Sequence, residues 1–180
     1  MEKQNNIRYT LNIALRLLLI CGAVALLLAL INNFTAPVTA EKEAAEKQEK
    51  MQALFPDMTG EQEKACELAG VNAVYEIYEG DTLTGYCCNV QTQGFSDVIE
   101  MMVGFDAQTL TVTGVTIVSC TDNPGKNKIS DPGFLNSFTG HANAQDVDGI
   151  SGATYSSQGV RTCVDLAAKA VENVRGGDAS

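Results

Sequence analysis

One histidine, His141, occurs in the 180 residues, and no nucleophile stands beside it for an imidazole to serve. A hydroxyl or thiol nucleophile needs an adjacent general base, so hydrolase chemistry of the Ser–His–Asp type has no support. Gly149-Ile150-Ser151-Gly152 falls short of the G-x-S-x-G elbow that such enzymes carry on a strand-to-helix turn. Glycine-rich dinucleotide and P-loop signatures are absent. Six cysteines are present without a single C-x-x-C pair, which removes the usual zinc and iron–sulfur patterns. Basic charge is also scarce. A formal net charge of -10 argues against nucleic acid as a partner, because phosphate-backbone binding needs clustered Lys and Arg.

Apolar residues are concentrated in one place. From Leu11 to Phe34 the chain reads LNIALRLLLICGAVALLLALINNF, with Arg16 its only charge. Such a run suffices to cross a hydrocarbon core of about 30 Å. It is too long for a signal-peptide core, so an uncleaved anchor is expected, with Arg16 near enough to its start to snorkel. Lys3, Arg8 and Arg16 outweigh Glu2 at this end, which predicts a single-pass protein of the cell membrane. Its N-terminus is cytoplasmic and its C-terminal bulk extracytoplasmic. The expected organisation is a cytoplasmic N-terminus over 1–10, a transmembrane helix over 11–34, a helical stalk over 35–56 and an outer domain over 57–180. Asn33-Phe34-Thr35 matches a glycosylation sequon, but its place at the membrane boundary makes it coincidental.

Beyond Pro37, a stretch dense in Ala, Glu and Lys predicts a polar helix with Glu43–Lys47 and Glu46–Lys50 pairs, ending at Phe55-Pro56. Glu61 to Leu68 is expected to add a helical turn or two. Alternating patterns then predict strands near Val71–Glu79, Thr84–Gln91, Val98–Phe105 and Leu110–Ser119, the last two joined by a hairpin at Asp106–Thr109. A short helix is expected around Asp131–Phe138. A longer one over Ala153–Val174 would place Val160, Cys163, Val164, Ala167, Val171 and Val174 on one face. The outer domain is therefore predicted as α+β, a small antiparallel sheet packed with helices. Cys87 and Cys88 would point to opposite faces of their strand. Buried thiols or one disulfide both remain compatible with the five cysteines outside the membrane.

The stretch richest in chemistry is Asp148-Gly149-Ile150-Ser151-Gly152-Ala153-Thr154, at the start of the last helix. Helix starts carry unpaired N–H groups and the positive end of the dipole, and a glycine-containing turn leading into one seats phosphate well. Locally, Ser151 serves as a cap, Gly152 and Ala153 allow close packing, and Thr154 is an exposed hydroxyl with no base to activate it.

This heptapeptide, with Ser156 and Ser157 behind it, resembles the flavinylation motif of the FMN-binding domain family. That family includes the G component of the Rnf electron-transport complex and the C component of the sodium-pumping NADH:quinone oxidoreductase. The resemblance extends to the membrane helix, its exit at Asn33, Thr35 and Pro37, Ala53-Leu54-Phe55-Pro56, Val103-Gly104-Phe105-Asp106 and the C-terminal helix. It implies FMN held covalently by a phosphoester on Thr154 and installed by a separate flavin transferase. It further implies electron transfer alongside the other membrane subunits of an Rnf-type, ion-translocating ferredoxin:NAD oxidoreductase. Ser151, Gly152, Ala153, Ser156 and Ser157 would surround the tether, and Asp148 would order the turn or be recognised by the transferase. A family loop against the isoalloxazine, Glu-Thr-Pro-Gly-Leu-Gly, maps to Asp122–Asn127. Pro124 and Gly125 match it, while Asn123 and Lys126 replace threonine and leucine. Ser96-Asp97 stands where the family has a glycine pair. A lysine at 126 would favour a reduced, anionic flavin. A stand-alone flavinylated carrier, or a non-redox membrane-anchored binding or scaffold module, are the other functions compatible with this chain.

Overall fold

A computed structural model describes residues 2–120 and 126–177, with side chains described for 13–30, 42, 44–120 and 128–176. The chain is organised as two compact units, Met1–Ala45 and Glu46–Ser180. Helix α1 (Glu2–Leu54) runs through the first and ends in the second. Within it, Ile13–Leu30 is long and apolar enough to cross a membrane, and its side chains are exposed. Apolar side chains left bare along a helix need a nonaqueous surround, so this segment is a candidate membrane span. The side chains of Lys3, Arg8 and the Asn33-Phe34-Thr35 sequon lie outside the described residues.

The second unit is α+β. Strands β1 (Gly60–Lys64), β2 (Val71–Glu79), β3 (Thr82–Gln93), β4 (Val98–Asp106) and β5 (Val112–Cys120) form one antiparallel meander in sequence order. Helices α2 (Lys126–Ile129), α3 (Pro132–Asn136) and α4 (Thr154–Gly177) follow. The four strands expected from alternation are present: β2 keeps its expected bounds, β3 is two residues longer at each end, β4 ends one residue later, and β5 starts two residues later and ends one later. The hairpin at Asp106 is held as its sequence requires. Asp106 Oδ1 accepts from the Gln108 and Thr109 N–H groups at 3.0 and 2.8 Å and from Thr109 Oγ1 at 2.9 Å. These bonds hold the Asp106 carboxyl below its ordinary pKa.

Two expectations are corrected. Residues Gly60–Lys64, read as the start of a helix at Glu61, form the edge strand β1. Glu, Gln and Lys favour helices weakly, and pairing with β2 overrides that preference. Lys64 Nζ reaches Glu76 at 3.4 Å and Tyr78 donates to the same carboxylate at 2.8 Å, so the buried Glu76 charge is satisfied. Lys50, expected to pair with Glu46 along its own helix, turns to the sheet instead, and Lys47 reaches the sheet too; the side chain of Glu43 lies outside the described residues. Lys47 pairs with Glu100 at 3.3 Å, and Lys50 donates to the Ile117 carbonyl at 2.9 Å.

Both faces of the sheet are covered, which is why residues 85–90 of β3 are buried without alternation. On one face Val74, Cys88, Val103 and Val115 pack under α4, whose Val160, Cys163, Val164, Ala167, Val171 and Val174 are buried as the helical spacing predicts. On the other, Met51, Ile77, Cys87 and Met102 pack with Leu54 and Phe55 at the end of α1. Cys87 and Cys88 thus face opposite layers, and all cysteines among the described residues are free thiols. A row of small residues makes room for α1. A Cβ on Gly104 would stand 3.0 Å from the Phe55 ring and 2.6 Å from Thr113 Oγ1, and one on Gly114 would stand 2.8 Å from Leu54.

Candidate functional site

Helix α4 begins at Thr154, and its hydrogen-bond ladder opens with Ser157 N–H donating to Ala153 O at 2.8 Å. The turn before it is built around two glycines. Gly152 has a φ of +77°, a left-handed conformation that other residues adopt only at a cost. Gly149 lies against Ser157, and a Cβ there would come within 3.1 Å of that hydroxyl. The space is used: Ser157 Oγ accepts from Ile150 N–H at 3.1 Å and donates to Thr154 O at 3.1 Å. Ser157 is buried and staples the loop to the first turn of the helix; Ser156 beside it is buried too. Ala153 is buried, whereas Ser151, Gly152 and Thr154 are exposed.

Ser151 is not the cap that local rules suggest. It lies ahead of the helix start, and its backbone carbonyl accepts from Lys128 Nζ at 3.0 Å. The ammonium group lies so close to the turn that a Cβ on Gly152 would be 2.7 Å from it. Gly152 therefore serves twice, in backbone conformation and in admitting Lys128. Lys128 escaped the sequence reading because no local rule links a lysine of a short loop helix to a turn beyond residue 150. The only available signal was its position just past the Pro124-Gly125 loop. Asp148 is exposed and makes no hydrogen bond or ion pair with the described residues.

The loop leading into this turn is clasped from below. Asp165 Oδ1 accepts from Ala144 N–H at 2.8 Å, and Arg161 Nε donates to Ala144 O at 3.2 Å. On the other flank, Gly159 lets α4 approach the β3–β4 turn, where a Cβ would lie 3.1 Å from Ile99 and 3.3 Å from the Gln93 carbonyl. The Phe95 and Tyr155 rings meet there, with centroids 5.8 Å apart. Asn123, Pro124, Gly125 and the side chain of Lys126 lie outside the described residues. His141 takes part through its backbone: its carbonyl accepts from Val112 N–H at 2.8 Å, closing the end of β5.

The arrangement gathers an exposed hydroxyl, the positive end of a 24-residue helix, a turn whose Gly152 admits Lys128, and that lysine's ammonium. A phosphate monoanion esterified to Thr154 fits that donor set, since both the dipole and Lys128 favour its charge. Residues 94–169 match the family model described as FMN-binding domain. On that match this stretch is assigned to the FMN-binding domain family. It runs from the β3–β4 turn into α4 and encloses Lys128, the glycine turn and Thr154. Over most of its length the chain is also similar to the G component of the proton-translocating ferredoxin:NAD(+) oxidoreductase complex of Clostridium ljungdahlii. The two are 23% identical over 171 residues, covering 87% of this chain and 89% of the relative.

Proposed function

We propose that the chain is a membrane-anchored electron-transfer subunit of an Rnf-type complex, carrying FMN through a phosphoester on Thr154. The observation that carries the proposal is the coincidence of the FMN-binding match with an exposed threonine in a glycine turn beside Lys128. The flavin would supply reversible one- and two-electron chemistry. The protein's own residues hold and place it. Gly152 admits Lys128 beside the turn, Lys128 and the α4 dipole balance the phosphate charge, and Ser157 fixes the turn so that the hydroxyl keeps one position. A flavin transferase forms the ester from FAD, so Thr154 needs access rather than a neighbouring base. Asp148, exposed and without a partner among the described residues, is then a recognition element for that enzyme. Asn123, Pro124, Gly125 and Lys126, within Thr121–Asn127, are further candidate cofactor-binding residues.

The span Ile13–Leu30 anchors the protein, and Lys3, Arg8 and Arg16 keep its N-terminus in the cytoplasm. The second unit then works outside, where a lost flavin is hard to replace and a covalent bond retains it. The test is purification from native membranes through a tag on this chain. Co-purification with further membrane subunits, and bleaching of the bound flavin when reduced ferredoxin is added, are the expected results. A flavinylated chain that purifies alone and does not bleach would instead support a stand-alone carrier.

A further inference from the structure

Outside the apolar span, the described residues leave three large apolar side chains exposed: Phe95 at 60%, Val98 at 42% and Tyr155 at 71%. They lie together at one end of the domain. Phe95 occupies the β3–β4 turn, Val98 opens β4, and the Tyr155 ring lies 5.8 Å from that of Phe95. Contact with Phe95 covers little of Tyr155, which remains the most exposed of the three. The platform beneath them is fixed rather than loose. Gly94 N–H donates to Asp97 O at 2.8 Å, Asp97 Oδ1 accepts from Val98 N–H at 2.7 Å, and Gly159 brings α4 against Ile99. A domain that buries its other large apolar groups rarely leaves such a cluster bare without use.

Tyr155 follows Thr154 directly in the first turn of α4. We infer that Phe95, Val98 and Tyr155 form an apolar seat for the isoalloxazine of the flavin carried by Thr154. The inference rests on the proposed tether. Size favours a ring over a protein as occupant. Two aromatic rings covering at most roughly 150–250 Å² each, with the smaller Val98, fall short of the roughly 800 Å² per partner of a stable protein interface. A planar conjugated ring suits aromatic faces, and its tether ends one residue away. Resting there, the ring keeps one face toward solvent, where an electron partner can approach.

Flavin emission reads the contact, because a phenol touching an excited flavin quenches it by donating an electron that returns on decay. The full chain is co-expressed with a flavin transferase, and covalent flavin is quantified by mass on denatured protein. Emission per bound flavin is then compared, native against unfolded, for the parent, Tyr155→Leu and Phe95→Ala. Strong quenching in the native parent, relieved severalfold by Tyr155→Leu and partly by Phe95→Ala, is the expected result. Equal emission per bound flavin in all three overturns the seat and leaves the patch to a protein partner. Variants that fail to acquire flavin while the parent does would make it a surface for the transferase, which also overturns the seat. A parent without covalent flavin overturns the tether itself and the seat with it.

Discussion

Gly152 decides the local geometry, since its left-handed φ and its lack of a Cβ are both in use. Gly152→Ala is expected to destabilise the domain by about 1–2 kcal/mol, and to displace Lys128 from the Ser151 carbonyl. Urea denaturation and flavin incorporation measure the two effects. Lys128→Gln separates them. The side chain is exposed, so stability should change by less than about 1 kcal/mol, while flavin incorporation by limiting transferase falls. Incorporation equal to the parent's would show that the ammonium does not assist the phosphate. Much of this site was legible in sequence order: the small residues, the helix start and the hydroxyl are contiguous. Lys128 and the Ser157 staple were not, because each depends on a bend that brings separated atoms together. The assignment of Ser151 as cap went wrong because the helix starts three residues later, at Thr154, which leaves Ser151 outside the cap position.

Among elements, the end of α1 shows how distant short segments explain one another. Leu54-Phe55 and Val103-Gly104 are unremarkable alone, yet the Phe55 ring lies over Gly104 and Gly85 in the sheet. Gly104→Ala should destabilise the domain by about 1–3 kcal/mol through overpacking, read as a lowered urea midpoint. Part of that loss should return in a Phe55→Leu background, and a cost independent of Phe55 would place the crowding at Thr113 alone. Strand β1 was missed because its five residues are polar; only the β2 edge gives them a reason to extend. The meander and α4 were visible because burial imposes periods of two and 3.6 residues on them. Burial of β3 on both faces was hidden, since nothing local announces that a second layer, from α1, covers the sheet.

At the scale of the molecule, buried thiols link the core to pH. Desolvation pushes Cys87 and Cys163 up to about 12 from an ordinary 9.0, and raises Cys88 as well. Below pH 9 these thiols are protonated in both folded and unfolded chains and do not affect the balance. Above it the unfolded chain loses protons that the folded chain keeps, so stability should fall as pH rises from about 9 toward 12. A urea midpoint unchanged across that range would contradict their burial, as would rapid alkylation of native Cys87. The candidate membrane span, the acidic second unit and the glycine turn all accord with one proposal, that Thr154 carries FMN. The most direct measurement is peptide mass mapping after co-expression with a flavin transferase. The account predicts an FMN-sized mass increase on the peptide holding Thr154, lost in Thr154→Ala. An unmodified peptide in the parent, or a label that persists in Thr154→Ala, would contradict it.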